Sequence, residues 1–200
     1  MKLYYSPGAC SLAPHIALRE SGLDFEPVKT DIRAKKLEDG SDYREINPKG
    51  AVPALGLEGG EVLTENATVL QYIADQSGGR TLLPDSGIRR YRVLEWLTYV
   101  SSELHKGFGP LWKGGSDEEK AKAREALGQR FDFVQERMGD GPYLTGDDFT
   151  LADAYLFVML TWTRVHDIDL SRWPGLEAYR DRVAARPAVR EAMTVEGLIR

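Results

Sequence analysis

The sequence predicts two parts of different class: an α/β N-terminal part built on a small mixed sheet, then an all-α part. Three observations carry this. Residues 1 to about 76 alternate short extended runs with amphipathic runs in the order βαβ then ββα, which implies a mixed sheet with helices packed on it. The stretch from Ser77-Gly78-Gly79-Arg80 through Pro84-Asp85-Ser86-Gly87 has the composition of a linker. Beyond it the apolar period is helical throughout, and two capping boxes open helices. One domain is therefore placed at 1–80 and a second at 86–200.

Taken in order, Lys2 to Tyr5 is strand-like and Leu12 to Glu20 is a helix that stops near Gly22. Phe25 to Ile32 reads as a strand with Val28, Thr30 and Ile32 in period two, and Pro27 puts its start at an edge. Asp42 to Ile46 is a short helix, closed by Asn47-Pro48-Lys49-Gly50. Val52 to Leu57 and Glu61 to Thr64 flank Glu58-Gly59-Gly60, a hairpin signal. Asn66 to Asp75 is a helix with Val69, Leu70, Tyr72 and Ile73 apolar. In the second part, Ile88 to Phe108 is one long amphipathic helix. Ser116 with Glu119 caps a helix through Met138, and Thr150 with Asp153 caps an apolar helix through Thr163. Pro174 to Ala185 and Ala188 to Met193 complete a set of about five helices.

Composition narrows the function. A chain with 42% hydrophobic and 28% charged residues can build an ordinary core. A net charge of −5 and a densest basic cluster of only Arg33 to Lys36 speak against a general nucleic-acid binder. One cysteine excludes an intramolecular disulfide and a Cys-rich metal site, and no metal is expected. No apolar leader opens the sequence, and the longest apolar run, Ala154 to Leu160, is too short to span a bilayer. The expectation is a soluble cytoplasmic protein with no membrane partner.

The lone cysteine, Cys10, falls on a strand-to-helix turn introduced by Pro7-Gly8. Ser11 is a plausible N-cap, and Pro14 falls in the first turn, where a missing N–H costs little. The free N–H groups and dipole of a helix N-terminus favour an anion, so a thiol there has reason to ionise. Val52-Pro53 opens a strand and is a candidate cis peptide; such a bend would leave Val52 with unpaired backbone groups for an extended peptide ligand. Thr64-Glu65-Asn66 closes a strand and opens a helix: Asn66 is a good N-cap, the helix N-terminus suits a carboxylate, and Glu65 could pair with an amine. The plain readings of these three features are a buried thiol, a trans proline and a solvated Glu beside an ordinary cap.

In this order and spacing the three features resemble the glutathione site of the glutathione transferase family. The resemblance runs the whole length. Tyr4 to Ser11, Asn47 to Leu55, Leu63-Thr64-Glu65, Ser102 to Phe108 and Phe149 to Phe157 look like the bacterial beta class. It implies a thioredoxin-like N-terminal domain and a helical C-terminal domain. It implies a cis Pro53 with the Val52 backbone pairing to the cysteinyl part of glutathione, Glu65 and Asn66 holding the γ-glutamyl end, and Lys35 reaching the glycine carboxylate. Beta-class members carry a cysteine at the Cys10 position, close to the glutathione sulfur, and a histidine at the His105 position. The family is usually homodimeric, with the equivalent of Glu103 entering the partner's site.

Helix geometry adds to this. At 100° per residue, Thr98, Ser102 and His105 share one stripe, and Glu103 points about 200° away from His105. Thr98 stands where related members carry asparagine, and Asn66 where the wider family has serine. His15 and His166 have no supporting context and read as structural. Thioredoxin-like proteins often carry Cys-x-x-Cys at this turn; Cys10-Ser11-Leu12-Ala13 lacks the second thiol, so dithiol exchange within one chain is excluded while a monothiol cycle with glutathione stays open.

The expected function is conjugation of glutathione, as co-substrate, to small hydrophobic electrophiles in detoxification, with Cys10 and His105 placing the sulfur. Phe108, Leu111, Trp112 and Trp162 are candidates for the electrophile side of a cleft. A thiol–disulfide reductase or reductive dehalogenase using Cys10 as nucleophile, and a non-catalytic binding module on the same fold, are the alternatives.

Overall fold

The computed structural model describes residues 1–78 and 82–200; Gly79, Arg80 and Thr81 of the linker stretch lie outside the described residues. The chain forms two compact units, Met1–Leu83 together with Ala185–Arg200, and Pro84–Ala184. Residues 185–200 were read with the second part, yet they pack with the first. The reason is α8 (Pro187–Val195), whose apolar side, including Val189 and Ala192, lies on α1.

The first unit is centred on β1 (Lys2–Tyr5), the middle strand of a five-stranded sheet. β2 (Glu26–Asp31) runs parallel to β1, with Leu3 opposite Pro27. β3 (Lys36–Leu37) meets β2 only at Thr30 and Asp31, so the start of β2 is unpaired on that side, as Pro27 predicts. β4 (Ala54–Gly56) is antiparallel to β1, and β5 (Val62–Thr64) closes the expected hairpin. The turn between them uses Gly59 and Gly60 at φ 98° and 89°, which a side chain would strain. β3 starts at the end of the Arg33–Lys36 basic cluster, and its two residues are too few to show a period in the sequence.

α1 (Leu12–Ser21) and α2 (Asn66–Gln76) pack on one face of this unit. α1 ends on Gly22 in the left-handed conformation, as its position predicts. Leu12, Ile16, Leu70 and Ile73 are fully buried, each such side chain contributing about 1.5–3 kcal/mol of burial. Tyr4, Tyr43, Val52 and Ala54 form another cluster, with Val28 and Ile32 of the predicted strand face packed against it.

The second unit contains α3 (Gly87–Tyr99), α4 (Gly109–Trp112), α5 (Asp117–Met138), α6 (Leu151–Val165) and α7 (Pro174–Ala184). α6 is apolar almost all round and correspondingly buried almost all round. Both capping boxes form as predicted. At the second, the buried Asp153 carboxylate accepts from the Leu144 and Thr150 N–H groups and from the Thr150 and Tyr179 hydroxyls. The single helix predicted over 88–108 is interrupted: Val100–His105 is π-helical. The wider turn rotates everything after it, so a constant 100° step does not carry from Thr98 to His105. Thr98 and Ser102 are exposed and His105 is half-buried. Among the described residues, no helix is long and apolar enough to cross a membrane.

Candidate active site

β1 delivers the chain into the turn that carries Cys10. Gly8 takes φ 69°, a conformation glycine adopts without strain. The Ser6 N–H donates to Ser11 Oγ at 3.1 Å, and the Ala9 N–H to the Ser6 carbonyl at 3.0 Å. Ser11 therefore ties the turn together instead of capping α1; its backbone is already helical and its side chain bonds no helix N–H. A third tether comes from the end of the chain. Glu196, fully buried, accepts the Gly8 N–H at 2.9 Å and meets His15 Nδ1 at 2.9 Å. His15 is structural, as expected, and its ring also packs against Tyr5 and Phe25.

Cys10 is 9% exposed, and its thiol donates to the Val52 carbonyl at 3.2 Å. Burial pushes the thiol up to about 12; the Cys10 and Ser11 backbone N–H groups pull it down but do not compensate. The helix N-terminus gives this thiol a reason to ionise, and desolvation outweighs it.

Val52-Pro53 is cis. The bend that precedes it is held by side chains. Lys35 Nζ donates to the Gly50 carbonyl at 2.6 Å, while Tyr43 Oη and Asn47 Nδ2 both donate to that of Ala51. With Cys10 on the Val52 carbonyl, three successive carbonyls are occupied from within the unit. The Val52 N–H has no acceptor among the described residues.

Glu65, at φ 72°, precedes α2 in a conformation costly for a residue with a side chain. Its exposed carboxylate pairs with Lys49 Nζ, which also donates to Thr64 Oγ1. Asn66 is the first helical residue and not the cap that its identity suggests. Its Nδ2 donates to the Cys10 carbonyl at 3.1 Å, which fixes the amide, and its buried Oδ1 has no partner.

Comparison with known proteins places this geometry. The family description "Glutathione S-transferase, N-terminal domain" matches residues 8–76, and "Glutathione S-transferase, C-terminal domain" matches residues 94–187. Glutathione S-transferase GstA from Escherichia coli O157:H7 is 47% identical over 200 residues, covering 99% of this chain and all of the relative. The chain belongs to the glutathione S-transferase family. A bacterial beta class glutathione S-transferase from Sphingomonas chungbukensis is 48% identical over the full length of both chains, with a TM-score of 0.95. A sphingomonad glutathione S-transferase complexed with glutathione is 47% identical, again over both full chains, with a TM-score of 0.95.

Of the residues that the transferase resemblance singles out, the first unit gathers Cys10, Val52, Pro53 and Asn66, with Glu65 adjacent and Lys35 at Gly50. In the second unit, Ser102 and Glu103 lie on the π-helical segment that His105 ends. Glu103 accepts from Arg130 of α5 at 2.9 Å. His105 Nδ1 meets the Tyr155 hydroxyl, and burial followed by the neighbouring Lys106 charge pushes its pKa below the usual histidine value. Among the expected pocket residues, Phe108, Leu111 and Trp162 are buried, and only Trp112 exposes much surface, 50%. His166 packs edge-on to Trp112 with ring centroids 4.3 Å apart. The sequence reading missed Lys49, Tyr155 and Glu196. Lys49 lies within a quoted motif and could have been weighed; Glu196, far along the chain, gave no local signal. Among the described residues, no group of three or more His, Cys, Asp or Glu could hold a metal ion.

Proposed function

We propose that this protein conjugates the thiolate of glutathione to small hydrophobic electrophiles, with the Val52 bend and the Glu65-Asn66 helix start as the tripeptide's seat. The observation that carries this is the set of polar groups around the cis peptide, two of them unmet. The Val52 N–H is a free donor, the Asn66 Oδ1 a buried free acceptor, and Glu65 an exposed carboxylate held ready beside them. An extended peptide with an amine at one end supplies their complements. Lys35 would exchange the Gly50 carbonyl for the ligand's glycine carboxylate.

In this reading the bound thiol loses its proton to solvent, stabilised as the anion by helix-terminal N–H groups. The sulfur attacks the electrophilic carbon and the leaving group departs with its bonding pair. Cys10 stays protonated and orders the Val52 carbonyl, so the nucleophile belongs to glutathione. That state disfavours Cys10 as the attacking thiol of a reductase or dehalogenase. We place the protein in the cytoplasm as a homodimer, with Glu103 reaching the partner's glutathione and detoxification as the role.

A glutathione-dependent activity panel over aryl halides, hydroperoxides and mixed disulfides, with calorimetric titration of glutathione, tests the proposal. Conjugation of at least one aryl halide is expected. Glutathione binding with turnover of mixed disulfides alone, abolished in Cys10→Ala, would transfer the function to the reductase reading.

A further inference from the structure

Lys49 stands on the bend that leads to Val52, within the first unit. Its backbone N–H donates to Asn47 Oδ1 at 3.2 Å, and Asn47, 2% exposed, sends its Nδ2 to the Ala51 carbonyl at 2.7 Å. One buried amide thus fixes both the Lys49 backbone and the bend. From there the lysine side chain crosses to the end of β5. Its Nζ donates to Thr64 Oγ1 at 2.9 Å and to Glu65 Oε1.

The polar groups at this pair can be counted. An ammonium has three N–H donors, and two are used, on Thr64 and Glu65. A carboxylate has two oxygens, and Lys49 takes Oε1. Among the described residues, the third Lys49 donor and Glu65 Oε2 have no partner, so a free cationic donor stands beside a free anionic acceptor. A free α-amino acid head is the complement of that pair, since it carries a carboxylate and an ammonium on one carbon. Set against Lys49 and Glu65, it closes a ring of four charges of alternating sign. The opening turn of α2, which follows Glu65 directly, has no side-chain cap, and its N–H groups also favour a carboxylate. Lys35 is committed to the Gly50 carbonyl, and the Asn66 amide is turned inward to that of Cys10, which leaves Lys49 as the side-chain cation at this end.

We propose that Lys49 is a specificity-determining residue: its remaining N–H binds the α-carboxylate at the γ-glutamyl end of glutathione while Glu65 Oε2 binds the α-ammonium, so the pair reads the free amino acid head as a unit. This rests on the placing of that end at Glu65-Asn66 proposed above. Lys49 stays on Glu65 throughout, and no proton moves.

Calorimetric titration of three thiols into the parent, Lys49→Gln and Lys49→Arg tests it. The thiols are glutathione, γ-aminobutyryl-cysteinyl-glycine, which lacks only the α-carboxylate, and glutaryl-cysteinyl-glycine, which lacks only the α-ammonium. The Lys49 and Glu65 side chains are 55% and 69% exposed, and such a pair adds little to folding, so the variants fold as the parent does. Lys49→Gln should weaken glutathione about tenfold and the glutaryl compound by a similar factor, the scale of one exposed hydrogen bond between charged groups. The γ-aminobutyryl compound, with no carboxylate there to lose, should change by less than about twofold. Lys49→Arg keeps the cation and should hold glutathione within about threefold of the parent. An equal loss for glutathione and the γ-aminobutyryl compound would mean that Lys49 only steadies Glu65, and overturns the proposal. So does unchanged or tighter glutathione binding in Lys49→Gln, the second being the mark of a lysine that competes with the ligand's ammonium. A parent that binds no glutathione overturns the seat itself, and this proposal with it.

Discussion

Alkylation of Cys10 by iodoacetamide in the native protein is expected to be about a thousandfold slower at neutral pH than in the urea-unfolded chain. The thiol stands at about 12 in the fold against an ordinary value of 9.0, three units that reduce its thiolate population by that factor. Desolvation supplies the shift, and the thiol's hydrogen bond to Val52 holds the protonated form. The same difference appears in stability. Below pH 9 both states hold the proton and the contribution is fully present. Between 9 and 12 only the unfolded state releases it, so stability falls by about 4 kcal/mol over that window. Tyr43, also raised by burial to about 12, loses stability over an overlapping range, so the difference between parent and Cys10→Ala isolates the cysteine. Mass spectrometry of timed alkylation, and urea melts of both proteins from pH 8 to 11, give the two readings. Native alkylation within tenfold of the unfolded rate, or parallel pH–stability curves for parent and variant, would refute the buried, protonated thiol.

Cys10→Ala should retain conjugation within about tenfold, because an ordinary structural contact of roughly 1 kcal/mol is lost and no reacting atom; steady-state assay with an aryl halide checks this. Asp153→Ala should cost about 3–5 kcal/mol in urea unfolding, since it strands four buried donors; a loss under 1 kcal/mol would show that the cap is dispensable. Glu196→Ala breaks a fully buried pair and removes the carboxylate that tethers the Gly8 turn, so a similar loss is expected together with faster native alkylation of Cys10. Trp112→Ala, at a half-exposed ring, should leave stability within about 2 kcal/mol while raising the KM for an aryl electrophile more than that for glutathione.

Patterns of short range were legible in the chain. The sheet strands other than β3, the hairpin with its two glycines, both capping boxes and the buried stripe of α6 each depend on residues within a turn or two of one another, where period and cap chemistry act. Val52-Pro53 and Glu65-Asn66 were found as features of interest for the same reason. What those features do was decided by contacts between distant residues. Ser11 and Asn66 look like caps, and each instead ties down the Cys10 turn, because the nearest unmet partner in space was not on its own helix. Cys10 has the sequence context of an activated thiol and the burial of an inert one, and burial depends on how α1, α2 and the 50–52 bend close around it. Glu196 reaches Gly8 across 188 positions and Tyr155 reaches His105 across 50. Local sequence sets which backbone a segment can adopt; which side chains then lose water, and to whom they donate, is a property of the packed chain.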